Sequence, residues 1–375
     1  MTIDSLARSL ARAVPITKPA LRAGYAASER MRSSLASQWP SLIGARTEKI
    51  TIAITAHCNL RCQGCKYGRD FMPGAQLPME TVRALLEDAA AAKVPAVRLY
   101  GGEPLLHPDV VEMVRLSNEL GVGCYMTTNA LILDRKIEAL HAAGLRKVTI
   151  GYYGQDGAFD DYVQRPGRFD RLVESLANTR AMFGPDRLDI QFNFLLSRRS
   201  ATIEAVDEMI AFADLFQASV HVDVVHYSLP YFQEGPEREL QFRPEDRPAV
   251  DRVIDHLLGI KRTRPELLTE SAPAIASFAD WALKQEAMRI PCDARKLLWV
   301  GADGSVMLCY VTFPLGNLHE KRLREILYTR PHHDAARAAF QLECPNCHCE
   351  AASRVEKHAP SLRLYAREAA ERLGR

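Results

Sequence analysis

The chain has 375 residues, 47% of them hydrophobic and 25% charged, and a formal net charge of +2. That length can bury a sizeable core and suggests one large domain plus a smaller one. A near-neutral balance gives no case for a nucleic acid partner, and no apolar run approaches the ~18 residues of a membrane-spanning helix.

Residues 1–48 are rich in Ala, Ser and Arg, with Pro15 and Pro19 breaking any long helix. Arg8 and Arg12 fall where a secretory signal would be apolar, so none is expected. Two readings of this stretch stand: a solvated helical arm packed on the body, or a basic arm in peripheral contact with a membrane surface or an acidic partner. Nine cysteines without an export signal fit a reducing cytoplasm, where clustered thiols are more often metal ligands than disulfides.

From Lys49 the pattern alternates. KITIAITA reads as a buried strand, and METVRALLEDAAAA as a helix with Val82, Leu85, Leu86 and Ala89 on one face. AVRLY is the next strand, followed by a helix from about Pro108 to Leu120 that stops at Gly121. CYMTT, KVTIGYY, LDIQFNFLL and SVHVDVVHY continue as strands, separated by helices at RKIEALHAAG, at FDRLVESLANTRAMF and near 202–214. Such alternation predicts a parallel sheet with right-handed crossovers. Six strands are too few to close an eight-stranded barrel, so the expected fold class is α/β, a partial (β/α)6 parallel barrel over 49–244. Residues 245–290 read as a helical connection, 291–350 as a small C-terminal domain of β-hairpin and helices, and 351–375 as a helical tail. The hairpin LLWVGADGSVMLCYV turns at Asp303-Gly304. In such a fold chemistry belongs at the C-terminal ends of the strands.

Cys58, Cys62 and Cys65 stand in that place, in "TAHCNLRCQGCKYG" just past the first strand. Three thiolates on a short loop can cap three irons of a four-iron cluster and leave the fourth open. An open coordination position is what separates a catalytic metal site from a structural one. The competing reading is a structural zinc site, with His57 as the fourth ligand, in a non-catalytic binding scaffold.

The CxxxCxxC spacing, followed by "YGGEPLL" after the second strand, resembles the radical S-adenosylmethionine (SAM) superfamily. The resemblance covers roughly residues 49–228. It implies that the open iron binds S-adenosylmethionine and that reductive cleavage yields a 5′-deoxyadenosyl radical, which abstracts hydrogen from a substrate carbon. It also implies that Gly101, Gly102, Glu103 and Pro104 meet the cofactor, with Glu103 on its ammonium group. Thr128 and Asn129 at the end of the third strand, and Arg165 in "VQRPGRFD", are further implied contacts. Two positions depart from the family: Gly64 stands where an aromatic residue often precedes the third cysteine, and Gly151 and Tyr153 stand where a serine and an aspartate often end the fourth strand.

A second group is Cys292, Cys309, Cys344, Cys347 and Cys349. Two cysteines flanking a hairpin and a later CxxC are similar to the twitch domain, the short form of the SPASM domain. This implies an auxiliary [4Fe–4S] cluster on Cys292, Cys309, Cys344 and Cys347. Cys349 is then a spare thiol, a replacement ligand or a hydrogen-atom donor. Cys124, inside the third strand, is expected to be a buried apolar thiol.

On the sixth strand His221, Asp223, Val225 and Tyr227 share one face, and Asp223 and Tyr227 are candidates for substrate binding or proton transfer. An internal salt bridge or hydrogen bond is the alternative for both. Lys66, Tyr67, Gln191 and Asn193 border the same region. The expected enzyme carries two [4Fe–4S] clusters and takes electrons from an external donor such as flavodoxin or ferredoxin. Its outcome is oxidation, cross-linking or epimerisation of a small metabolite, sugar or lipid precursor, with maturation of a ribosomally made peptide as the alternative.

Overall fold

The computed structural model describes residues 28–358 except 30, 37, 236, 237 and 311. Most of the basic arm, and the end of the 351–375 tail, lie outside the described residues. The strands are β1 Lys49–Thr55, β2 Ala96–Gly101, β3 Gly123–Thr128, β4 Lys147–Tyr152, β5 Asp189–Leu196 and β6 Ser219–Val224. The helices between them are α1 Met79–Ala91, α2 Val110–Glu119, α3 Ile137–Ala142, α4 Asp156–Val163, α5 Arg168–Met182 and α6 Ile203–Leu215. The connection after β6 contains α7 Arg247–Thr263 and α8 Ala272–Lys284. Then come β7 Leu297–Val300, β8 Ser305–Met307, β9 Pro314–Asn317, the single turn α9 Leu323–Ile326, α10 Arg330–Phe340 and α11 Ala351–His358.

All nine strands form one sheet in the order β6-β5-β4-β3-β2-β1-β7-β8-β9. The first six pair in parallel, each with its sequence neighbour, as the crossover pattern predicts. The hairpin pairs with them: β7 lies parallel to β1, with Lys49 opposite Leu297 and Ile52 opposite Val300, and β8 and β9 follow antiparallel.

The two faces of the sheet differ because the sequence alternates. On β5, Ile190, Phe192, Phe194 and Leu196 are fully buried, whereas Gln191, Asn193 and Leu195 are only partly so. The buried set packs outward on the helices, where Phe192 and Tyr152 meet Phe212 of α6 at ring separations of 5.0 and 5.2 Å. Each such side chain contributes roughly 1.5–3 kcal/mol on burial. Val82, Leu85, Leu86 and Ala89 of α1 are buried likewise, at the spacing of one helical face. Polar side chains are left for the inner face. Lys49, Arg98, Tyr125, Thr149, Gln191 and His221, one from each parallel strand, line a single cavity, so the sheet curves around a lumen as an open partial barrel.

The described part of the arm is docked. Ile43 is buried with Ala336 and Phe340, and Glu29 forms a buried ion pair with Lys296 at 2.9 Å. No helix among the described residues is long and apolar enough to cross a membrane.

Candidate active site

Beyond β1 the chain turns across the C-terminal mouth of the barrel, and Cys58, Cys62 and Cys65 all line a cavity of about 520 Å³ there. None of the nine cysteines is in a disulfide. Burial pushes the Cys58 thiol up to about 11 and raises Cys62 and Cys65 as well. Buried thiols of this kind ionise readily only when a cationic metal centre compensates them.

Gly101 and Gly102 form the facing wall. A side chain at either position would run into main chain, within 2.2 Å of the Thr55 oxygen at 101 and 2.3 Å of the His57 oxygen at 102. Backbone hydrogen bonds hold this approach, from Gly102 N to Thr55 O and from Glu103 N to His57 O, both 2.7 Å. Only glycine allows the second strand to sit so close to the cysteine loop.

Thr128, Asn129 and Arg165 line the same cavity, with a buried Arg165 Nε that has no partner among the described residues. Glu103 and Pro104 do not line it. The Glu103 carboxylate, expected on the cofactor's ammonium group, is fully buried and accepts from Leu105 N at 3.0 Å, Thr128 Oγ1 at 2.6 Å and Asn129 N at 2.7 Å. Burial pushes this carboxyl up to about 7 against the lowering effect of those three bonds. In this structure Glu103 ties the end of β2 to the end of β3, and so sets Thr128 and Asn129 in the cavity wall.

The two departures noted in the sequence have local answers. Gly64 has a φ of +71°, and a Cβ there would lie 2.7 Å from the Phe232 ring. The loop after β6 is laced to the cysteine loop through Lys66 N to Tyr231 O at 2.8 Å and Gln233 N to Gly64 O at 2.9 Å. Phe232 thereby brings an aromatic ring against Gly64 from a distant part of the chain. At the end of β4 the Tyr153 hydroxyl fills the space beside Gly151, and the Tyr153 ring stacks on Tyr162 at 4.0 Å. Both rings line the cysteine cavity.

The lumen cavity has a volume of about 450 Å³. Asp223 faces it, but Tyr227 does not. The strand ends at Val224, so the alternation read through Tyr227 fails after that point. Val225 is buried, His226 turns toward the lumen, and the Tyr227 hydroxyl is buried without a partner among the described residues. Burial raises the Asp223 carboxyl, but the imidazole of His348, 3.7 Å away, and that of His221 outweigh it and hold the group at about 2. Burial, and then the neighbouring His348, drive His226 well below its usual range.

Cys292, Cys309, Cys344 and Cys347 line one small cavity in the C-terminal domain, with Arg354 beside them. Burial pushes Cys292 up to about 12. Cys349 instead lines the lumen, with its Sγ 3.2 Å from His226 Nε2. The ligand atoms of His226, Cys347 and Cys349 all lie within 4.8 Å of one another. Contact with Cys349 draws the Cys347 thiol down, while Cys349 is raised. Both thiol sets thus fit iron–sulfur centres by the chemistry of their donors.

Sequence reasoning missed His226, Phe232, Arg98 and Tyr310. A charged residue inside the apolar strand AVRLY, and the Tyr231-Phe232 pair inside a polar loop, were the available signals.

Comparison with known proteins gives the family of the chain. The radical SAM superfamily profile matches residues 52–213, and an iron-sulfur cluster-binding domain, SPASM, matches residues 292–350. The GTP 3′,8-cyclase of Listeria welshimeri is 34% identical over 272 residues, 69% of this chain and 78% of that one. The AdoMet-dependent heme synthase of Methanosarcina barkeri is 25% identical over 292 residues, 73% of this chain and 80% of that one. Among solved structures, Streptococcus suis SuiB bound to S-adenosylmethionine superposes with a TM-score of 0.61 at 16% identity, over 88% of this chain and 76% of that one. Fold and site together define an iron–sulfur enzyme built on a partial barrel. The chain belongs to the radical SAM superfamily, with a C-terminal SPASM domain. Its cofactors are S-adenosylmethionine with a [4Fe–4S] cluster, and auxiliary iron–sulfur chemistry in the SPASM domain.

Proposed function

We propose that Cys58, Cys62 and Cys65 hold the SAM-binding cluster, that S-adenosylmethionine occupies the 520 Å³ cavity, and that a small-molecule substrate occupies the 450 Å³ lumen. The observation that carries this reading is that the two cavities share Asn193, Asp223, Val224, His226 and Leu229. A ligand in one is a single side-chain layer from a ligand in the other. When bound, the cofactor and its cluster supply a carbon-centred radical that removes a hydrogen atom from a substrate carbon.

The protein's part is placement. Gly101 and Gly102 give the cofactor room, Thr128, Asn129 and Arg165 offer polar contacts, and Tyr153, Tyr162 and Phe232 form an aromatic wall that keeps water from the reacting atoms. Asp223 presents an ionised carboxylate to the substrate. Cys292, Cys309, Cys344 and Cys347 hold the auxiliary cluster. Cys349 faces the substrate, placed to return a hydrogen atom. Oxidation, cross-linking or epimerisation of a small metabolite, sugar or lipid precursor follows, with electrons from an external donor such as flavodoxin or ferredoxin in the cytoplasm. A cavity of 450 Å³ lies within the usual range for small-molecule sites, roughly 300–1,000 Å³.

The test is anaerobic reconstitution followed by iron and sulfide analysis and an assay for 5′-deoxyadenosine. The intact chain should carry about eight irons and form 5′-deoxyadenosine on reduction. The Cys58→Ala/Cys62→Ala/Cys65→Ala variant should keep about four and form none. Zinc in place of iron, or cofactor cleavage by the triple variant, would overturn the reading.

A further inference from the structure

Three Lys or Arg side chains line the lumen, and two of them have carboxylate partners. Lys49 Nζ lies 3.1 Å from Glu350 Oε1, and Lys147 Nζ 2.8 Å from Asp189 Oδ2. Arg98 has no carboxylate partner among the described residues. Its neighbours are rings and hydroxyls: Nη2 donates to the Tyr310 hydroxyl at 2.6 Å, and its guanidinium carbon lies 4.8 Å from the centre of the Tyr100 ring and 5.7 Å from that of Tyr310. Its Nε is buried and has no hydrogen-bond partner among the described residues.

The carboxylates that line the lumen are engaged elsewhere. Glu350 pairs with Lys49, Glu270 with His221, and Asp223 faces His348 at 3.7 Å. A guanidinium keeps its charge at any working pH. Two aromatic rings compensate part of the cost of enclosing it, but beyond the Nη2 bond to Tyr310 they leave its hydrogen-bonding fork unfilled. That fork matches two oxygens of an oxyanion, and an enclosed site strengthens the match. Thr149, Gln191 and Asn193, from the same lining, offer further hydrogen-bonding groups.

We propose that Arg98 recognises an oxyanion, a carboxylate or a phosphate, carried by the substrate in the lumen. The inference rests on the reading of the lumen as the substrate site. It also bears on the substrate's length. Arg98 is three residues before Gly101 on β2, about 10 Å along a strand that rises ~3.3 Å per residue. A substrate that reaches from Arg98 toward Gly101 would carry its anionic group apart from the carbon that loses hydrogen.

The anaerobically reconstituted full chain provides the test through its own fluorescence. Trp281 lines the lumen, and Trp299 donates to the Tyr100 hydroxyl beneath Arg98. Inorganic phosphate and acetate are titrated separately against chloride at constant ionic strength. A saturable change with phosphate marks a phosphate-bearing substrate, and one with acetate marks a carboxylate. Arg98→Gln should weaken that binding at least tenfold and Arg98→Lys at least threefold, while Lys147→Met should change it less than twofold.

If Arg98→Gln does not fold, Arg98→Lys decides. Unchanged binding in the folded Arg98 variants, an equal loss in Lys147→Met, or no saturable response to either anion would overturn the proposal. Iron content and 5′-deoxyadenosine formation are scored on the same preparation. A chain that cleaves the cofactor but ignores both anions refutes Arg98 alone. One that binds an anion but carries no iron refutes the functional reading alone.

Discussion

The Cys349 thiol lies 3.2 Å from Nε2 of His226, where the end of β6 meets the C-terminal domain. The contact sets the fifth cysteine of that domain in the wall of the lumen, while its thiol still touches Cys347, one of the four that share a cavity of their own.

Cys349→Ala should therefore keep about eight irons per chain, while Cys344→Ala should lose about four. Turnover should fall in both. Iron analysis of the two proteins, prepared anaerobically, checks this. Loss of iron from Cys349→Ala with retention in Cys344→Ala would exchange the two roles.

Phe232→Ala should weaken S-adenosylmethionine binding about five- to tenfold without loss of iron, the scale of one lost aromatic contact. Gly64→Ala should be worse, because its Cβ would lie 2.7 Å from the Phe232 ring at a φ of +71°. The double variant should recover part of that loss, since the ring it collides with is gone. Anaerobic calorimetry reads all three. Simple additivity would mean that residues 64 and 232 do not meet.

Glu103→Gln should cost about 1–3 kcal/mol of stability, because three donors converge on the carboxylate and an amide must turn its own N–H toward one of them. Denaturant unfolding of the two proteins measures it. An unchanged midpoint would show that the carboxylate is not the anchor described.

His332, in α10, is fully buried, and its Nδ1 accepts from Tyr328 N at 3.0 Å. Burial, and secondarily its neighbour His333, push its pKa down to about 4, against ~6.5 in the unfolded chain. The unfolded chain therefore binds the extra proton first. The stability this neutral ring contributes is complete above pH 6.5 and is lost as pH falls toward 4, by up to about 1.4 kcal/mol per pH unit. His332→Gln keeps an acceptor for Tyr328 and does not titrate. Its unfolding midpoint should fall less than that of the parent between pH 7.5 and 5. Parallel curves would remove His332 from the account.

The parallel order of β1 to β6 and the thiol loop after β1 were legible because each rests on local pattern: alternation within a strand, a helix of fixed period, cysteines within eight positions. Arg98, Tyr310 and His226 were not, because tertiary pairing alone brings them together. Arg98 and Tyr310 are 212 residues apart when they meet. Tyr227 was misplaced for a related reason: strand alternation says which residues share a face but not where the strand stops. Glu103 kept its place in the motif, but its burial depends on Thr128 and Asn129, which the motif does not contain.

The seating of β7 beside β1 bears on how this enzyme can be dissected. β1 carries Ile50, Ile52 and Ile54, and its far margin is covered over Lys49–Ile52 by the four-residue strand β7, with Ile54 O taken by Leu77 N. A chain cut before residue 291 would bare the Lys49–Ile52 part of that margin, a row of unsatisfied N–H and C=O groups flanked by isoleucines, ready to template another molecule. The barrel expressed alone is thus expected to precipitate or self-associate rather than yield a one-cluster enzyme. The C-terminal domain acts as a structural closure of the barrel as well as a carrier of iron, and its loss should be scored first as insolubility.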